Sequence, residues 1–369
     1  MARKKAQLGD PGRQVTLDDI AAACGVSRMT VSYALRGHRQ FVSESNIDRI
    51  NIAARKLGYD PAHAHAARSL RYKKQGTNVA SFVVAVFFPV QLLETHYYAM
   101  LFQGIHEALL ERRFGALSCY VEKGQTPLAD QLPQIFRRGD VDGAIIMRSS
   151  GYDASLVDAL RNMPGFGDRP IVSLFEPIAG CHSVLADDVQ IGRLAASHLL
   201  ELGHRKLLRF RNPDATNYMV EQRLIGHNRA FQEAGFDCEQ HLITEGWIWD
   251  DPRGIEAAIE QILKLHPDIT AILAPNDDTG ISLTRALRRL GWQIPGDISI
   301  IGADDCEVMY GPDDQNFWTT VRVPLLDIGR DAATALIENI KHPDTDTKTQ
   351  TLPVTLVVRG TTGPPRKRG

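Results

Sequence analysis

The stretch SRMTVSYALRG, residues 27–37, sets Arg28, Met29, Thr30, Ser32, Tyr33 and Arg36 around the apolar positions Val31 and Leu35. Arginine can pair bidentately with a guanine edge, methionine offers apolar contact to a thymine methyl, and hydroxyls suit phosphate oxygens. At helical spacing Val31, Ala34 and Leu35 point inward. Arg28, Met29 and Tyr33 point outward, and Thr30 and Ser32 can reach phosphates. The chemistry expected is non-covalent recognition of a polyanion. A small helical bundle with an ordinary polar surface is the competing reading.

Charge separates the two readings. Through Gln75 there are 14 Lys and Arg against 6 Asp and Glu, and the remainder holds 28 against 38. A basic head on an acidic body implies that the head alone meets the polyanion. Arg3, Lys4 and Lys5 read as a solvated tail, whereas the charges from Arg28 to Lys74 lie within patterned sequence.

The elements that must position these groups are legible. Thr16 precedes the helical pattern LDDIAAAC as an N-cap, and Asp19 stands where a capping box carries Glu or Gln. Leu17, Ile20, Ala21 and Cys24 share a face, Gly25 permits a left-handed turn, and Val26 plugs it. Ser27 caps the next helix, completing a helix-turn-helix pattern. A third helix is expected from Ser43 to about Leu57, with Ile47, Ile50, Ala54 and Leu57 inward. His63 and His65 are two apart and share no helical face, so no helical metal site is expected.

From Asn78 the pattern alternates strand and helix. NVASFVVAVFF, ALSCYVE, VDGAIIM, PIVSLF, LLRFR, AILAP and ISIIGADD are strand candidates separated by amphipathic helices. Such βα repeats imply parallel sheets covered on both faces, with ligands bound beyond the carboxyl ends of the strands. Arg148 and Glu176 end strands on that side. Asp187–Asp188 and Asp304–Asp305 read as structural carboxylates at strand ends.

Bulk features narrow the function. The composition, 43% hydrophobic and 23% charged, is that of a globular protein. No apolar run is long enough for a membrane span, and the basic N-terminus lacks the apolar stretch of a secretory signal. The 5 cysteines are scattered without CxxC spacing, which predicts no disulfide framework, no zinc site and a reducing cytoplasm. No GxSxG, P-loop, HExxH or dinucleotide fingerprint stands out, so neither catalysis nor a cofactor is expected.

The segments VTLDDIAAACGVSRMTVSYALRG and FVSESNIDRINIAARKLGYDP resemble the DNA-binding head of the LacI (lactose repressor) family. Downstream, YYAMLFQGIHEA, VDGAIIM, DDVQIGRLAASHLLELGHRKL, PNDDTGISLTRAL, IPGDISIIGADD and NFWTTVRVPLLDIGRDAATALIENI continue the resemblance to about Arg359. The resemblance implies an all-α helix-turn-helix head and a periplasmic-binding-protein-like α/β core of two Rossmann-like subdomains. It also implies a homodimer on a pseudo-palindromic operator, with a hinge helix that wedges a leucine into the minor groove. Leu70 is the candidate wedge, nine residues after Pro61 where the family's leucine stands seven. Tyr33 occupies a position that is often Arg in the family, so half-site preference should differ. Thr16, Ser27 and Arg36 complete the expected DNA-contact set.

The expected division is a tail over 1–14, the head over 15–60, a hinge over 61–77, a core over 78–360 and a basic tail over 361–369. Within the core, 78–182 with 306–345 should form one subdomain and 183–305 with 346–360 the other.

The resemblance also places an effector cleft between the subdomains. Tyr97 and Tyr98 line its N-terminal side. Arg223 matches the family's R-x-x-G arginine, Asp277 its ligand-binding carboxylate with Asn276 behind it, and Trp249 its stacking aromatic, with Trp247 the near alternative. Asn217 stands where the purine-binding branch has Arg, which favours a sugar. Arg148 is a further candidate. The expected function is a transcriptional regulator, a repressor by the family's habit, whose operator affinity follows a small carbohydrate. A solute-binding protein of a sugar transporter is the alternative, disfavoured by the added basic head.

Overall fold

The computed structural model describes residues 15–35, 38–59, 79–88, 95–121, 126–147, 153–211, 217–246, 254–343 and 346–366. The chain divides into two compact units, Met1–Ser81 and Phe82–Gly369.

In the first unit, α1 (Leu17–Cys24), α2 (Arg28–Leu35) and α3 (Glu44–Lys56) enclose a small core of Ile20, Ala21, Cys24, Val31, Ala34, Val42, Ile50 and Ala54. Thr16 Oγ1 accepts from the Asp19 amide while the Asp19 carboxylate accepts from the Thr16 amide, a complete capping box. Gly25, at φ 62°, makes the left-handed turn between α1 and α2. Ser27 Oγ accepts from the Thr30 amide at 3.0 Å, starting α2. Arg49 on α3 donates to the Cys24 carbonyl at 2.6 Å, satisfying an orphan group at the end of α1. Ser43 occupies the N-cap of α3 but makes no side-chain cap bond.

The second unit holds two six-stranded sheets. The first is built from β1 (Val83–Phe87), β2 (Gly115–Cys119), β3 (Gly143–Ile146), β4 (Ile171–Ser173), β5 (His182–Ala186) and β11 (Thr349–Leu352), in the order β11-β5-β4-β3-β1-β2, all parallel. The second holds β6 (Leu207–Arg211), β7 (Leu242–Gly246), β8 (Ala271–Leu273), β9 (Ser299–Asp304), β10 (Thr320–Arg322) and β12 (Thr355–Val357), in the order β12-β10-β9-β8-β6-β7. Only β12 runs antiparallel there. The connecting helices are α4 (His96–Glu111), α5 (Leu128–Gln131), α6 (Gln134–Arg137), α7 (Asp153–Arg161), α8 (Asp188–Glu201), α9 (Tyr218–Glu233), α10 (Cys238–His241), α11 (Gly254–Leu265), α12 (Asp277–Arg289) and α13 (Leu325–Lys341).

The two halves repeat one packing device. α4 lies on α13 in the first and α8 on α9 in the second, each through a pair of glycines. A Cβ on Gly104 would lie 2.1 Å from the Leu326 carbonyl oxygen, and one on Gly329 2.2 Å from that of Leu101. The equivalents are Gly192 against Arg223 and Gly226 against Val189, both at 2.0 Å. Only hydrogen fits at these four positions.

The sheet pairing corrects the expected subdomain boundaries. β5 and β11 belong to the first sheet and β10 to the second. The chain therefore passes between sheets after β5, between β10 and α13, and between β11 and β12. The physical reason is strand partnership: Ser183 lies beside Ser173 on β4, their hydroxyls 2.8 Å apart and buried, while β10 continues the register of β9. Residues 361–366 are likewise not a free tail. Thr361 is fully buried, donates to the Ile300 carbonyl and accepts from the Thr319 amide; Arg366 lies over the Trp292 ring.

Candidate ligand cleft and nucleic-acid interface

In the head, α2 presents Arg28 and Met29 to solvent, the latter 63% exposed. Arg28 makes one ion pair, with Asp18 at 3.5 Å, between side chains that are both about two-thirds exposed and so weakly held. Thr30 and Ser32 are half-buried. Tyr33 differs from the outward position expected of it. Its ring packs on Phe41 at 5.0 Å and on His38, so it belongs partly to the core. The hydroxyls of Thr16 and Ser27 are engaged in caps. Arg36 and Leu70 lie outside the described residues.

In the second unit, a cavity of about 360 Å³ is lined from both sheets' ends. Tyr97 and Tyr98 come from the first turn of α4, Asn217 and Arg223 from the start of α9, Asn276 from the start of α12 and Asp304 from the end of β9. Thr95, Met219, Asp278, Cys306 and Glu307 complete much of the wall. The strand-helix architecture accounts for this convergence, since carboxyl ends of parallel strands and amino ends of the following helices open on the same side.

Arg223 organises the wall. Its Nε donates to Asp188 Oδ1 at 2.8 Å, Nη1 to the Pro275 carbonyl at 2.6 Å, and Nη2 to Asp304 Oδ1 at 3.3 Å. Burial pushes the Asp304 carboxyl up to about 8 and raises that of Asp188, while the guanidinium opposes both shifts. Asp304 holds φ at 116°, a region that L-residues rarely adopt, and the ion pair fixes it there. Burial and the neighbouring Asp304 charge raise the Tyr97 hydroxyl well above its ordinary value. Behind the tyrosines, Phe175 stacks on Tyr97 with centroids 6.2 Å apart. Asn217 and Asn276 each cap a helix through Oδ1, accepting from the amides of Val220 and Thr279. The wall thus offers aromatic faces, amides and oriented carboxylates, the groups that hold a polyhydroxylated ring.

Tyr97, Tyr98, Asn217, Arg223 and Asn276 therefore meet at one cavity. Asp277 does not. It is fully buried beneath the wall, where Oδ1 accepts from Trp318 Nε1 at 2.7 Å and Thr320 Oγ1 at 2.6 Å. It is a structural carboxylate clamping β10 to α12. Asp304, set aside on sequence grounds, takes the position expected of it, while Asp188 stands behind the wall as the buried partner of Arg223. The signal that could have found Asp304 is its place at the carboxyl end of the apolar strand SIIGAD. Glu176 does not line the cavity. Arg148 and Trp249, with Trp247, lie outside the described residues. Among the described residues no cluster of three or more His, Cys, Asp or Glu could hold a metal, and no helix is long and apolar enough to cross a membrane.

Residues 16–62 match the family described as bacterial regulatory proteins, lacI family, and residues 196–362 match the periplasmic binding protein-like domain. The chain therefore joins a LacI-family helix-turn-helix domain to a periplasmic-binding-protein-like domain. The chain is 29% identical over 350 residues to the HTH-type transcriptional regulator CelR of Thermobifida fusca, covering 94% of this chain and 98% of CelR. It is 26% identical over 348 residues to the HTH-type transcriptional repressor PurR of Mannheimia succiniciproducens, covering 93% and 97% of the two chains. The solved complex of a regulator CelR with cellobiose superposes with TM-score 0.64 at 26% identity, over 95% of this chain and all of that one. Like these relatives, this chain is a DNA-binding transcriptional regulator rather than a transporter's solute receptor.

Proposed function

We propose that this regulator is a repressor whose hold on its operator is set by a small carbohydrate bound between the two sheets of the second unit. The observation that carries the effector class is Asp304, held by Arg223 and set beside Tyr97 in one cavity. Carboxylates fixed by a guanidinium accept from vicinal hydroxyls, and the tyrosine faces cover the apolar side of a ring. The cavity's size falls within the range of small-molecule sites. The cellobiose complex of CelR supports the class. Asn217 at the wall, in place of the arginine of the purine-binding branch, favours a sugar over a nucleobase, although PurR is a comparable relative.

The protein works as a homodimer in the cytoplasm, each head reading one half-site with Arg28 and Met29 of α2. Ligand changes the spacing of the paired heads and so the operator affinity, through a coupling of about 1–3 kcal/mol. The site acts by binding, without turnover and without cofactor.

The test is a thermal-shift screen of monosaccharides and β-linked disaccharides, cellobiose included. It is followed by electrophoretic mobility of the full chain on its own promoter with each hit. A sugar that raises the melting temperature, changes the DNA shift and is recovered chemically unchanged supports the proposal. A purine base that does so while no sugar does rejects the effector class.

A further inference from the structure

A second cavity, of about 30 Å³, lies beneath α9, against the faces of β6, β8 and β9 and the side of α8. It shares Val220, Arg223 and Pro275 with the ligand cleft but is otherwise distinct from it. Its lining is apolar, from Ile191, Ala195, Leu224, Leu273 and Ala274, except for the cationic side chains Arg209, Arg211 and Arg223 and the imidazole of His227. Among the described residues no carboxylate lines it.

Arg209 is the unexpected member. It sits in the middle of β6, LLRFR, in a parallel sheet whose covered faces call for apolar residues. Its side chain is 8% exposed, and Nη2 donates to Asn228 Oδ1 on α9. Among the described residues its Nε has no hydrogen-bond partner, and neither does Nδ1 of His227, which is 7% exposed. Arg223 is neutralised by Asp188 and Asp304 on the cleft side. Among the described residues Arg209 makes no ion pair: burial, with Arg211 beside it, lowers its pKa to about 10 against the opposing influence of Cys238, so it remains charged at neutral pH. An uncompensated guanidinium inside a protein is costly, and buried donors without acceptors add to that cost. Two lining residues with orphan polar atoms, one of them a buried guanidinium, around one space of ionic size describe an anion site.

We infer that this cavity binds one small monovalent anion of the halide class, chloride in the cell, held by Arg209 Nε–H and by His227. The volume admits a single ion or water and excludes phosphate esters and sugar acids. The ion lies under the helix that carries Arg223 and Asn217 into the ligand cleft, so it fixes that helix from below.

The test compares melting of the full chain in potassium chloride and in potassium methanesulfonate, whose anion is too large for the cavity, at equal concentration. Chloride at about ten times its dissociation constant raises the midpoint by about 3 °C. Arg209→Met removes the difference. Equal midpoints for the two salts in the unaltered protein overturn the inference, as does an equal chloride effect in Arg209→Met, which marks general salt stabilisation. Should that variant not fold, crystals of the unaltered protein grown in sodium bromide decide. An anomalous peak between Arg209 Nε and His227 Nδ1 supports the site, and its absence, with water density there instead, overturns it.

Discussion

Arg223 and Asp188 form a 2.8 Å ion pair that ties α9 to the first residue of α8, the helix entered as the chain leaves the first sheet. The pair stands at the crossing point between the two sheets and also orients the guanidinium that holds Asp304 at the cleft. Substitutions here should therefore separate ligand binding from folding in a way that depends on which partner is changed.

Asp304→Asn, assayed above pH 8 where the Asp304 carboxyl is ionised, keeps the shape of the wall but removes a charge that accepts hydroxyl donors. Affinity for the effector should fall by about 10–100-fold, the loss of one charged hydrogen bond, with little change in melting. Titration calorimetry with the sugar identified by screening measures it. Arg223→Ala should behave differently, leaving Asp188 and Asp304 buried without a counter-ion and costing about 3–5 kcal/mol of stability. Urea unfolding checks that loss.

At the head, Arg28→Ala should weaken operator binding by about 5–150-fold and relax preference at a single base pair, the signature of a lost bidentate contact. Tyr33→Phe should leave the head folded, because the ring still packs on Phe41, and reduce affinity by less than about 5-fold. Binding of the unaltered protein should also decline steeply between low and physiological salt. Mobility shifts over a salt series with single-base operator variants test all three.

The glycine notches make a stability prediction. Gly226→Ala places a methyl within 2.0 Å of the Val189 carbonyl oxygen, and Gly104→Ala does the same at 2.1 Å against Leu326. Backbone must move in either case, so each variant should lose about 3 kcal/mol or more. Gly167→Ala, where nothing lies within 4 Å, is the control despite its left-handed φ of 53°. It should cost only about 1 kcal/mol. Denaturant midpoints compare them.

Stability contributed by two buried carboxyls should fall as pH rises from about 4 to about 8. Burial lifts the Asp277 carboxyl to about 7 and that of Asp304 to about 8, so the native state holds protons that the unfolded chain has released above its ordinary value near 4. The unfolded state then binds fewer protons, and the slope of stability against pH is negative. His227, whose pKa burial lowers, acts in the opposite sense but only below its ordinary 6.5. Asp277→Asn should flatten part of the decline. Melting temperature against pH for both proteins reads it directly.

The sequence by itself determined the local elements. The capping box at Thr16 and Asp19, the turn at Gly25, the apolar stripe of α3 and the alternation of strand with helix are set by residues within a few positions of one another. Composition and spacing signals report such short-range chemistry well, and the head was legible almost to the residue. What only the tertiary structure decided lies between distant segments. The partnership of Ser173 with Ser183 moved β5 into the first sheet. The bonds from Trp318 and Thr320 removed Asp277 from the cleft, and Arg223 held Asp304 in it. Each outcome turns on which carboxylate or strand finds its partner across dozens of residues. A strand-end aspartate looks the same in sequence whether an indole or a guanidinium meets it, because the desolvation that assigns its role is created only by the folded surroundings.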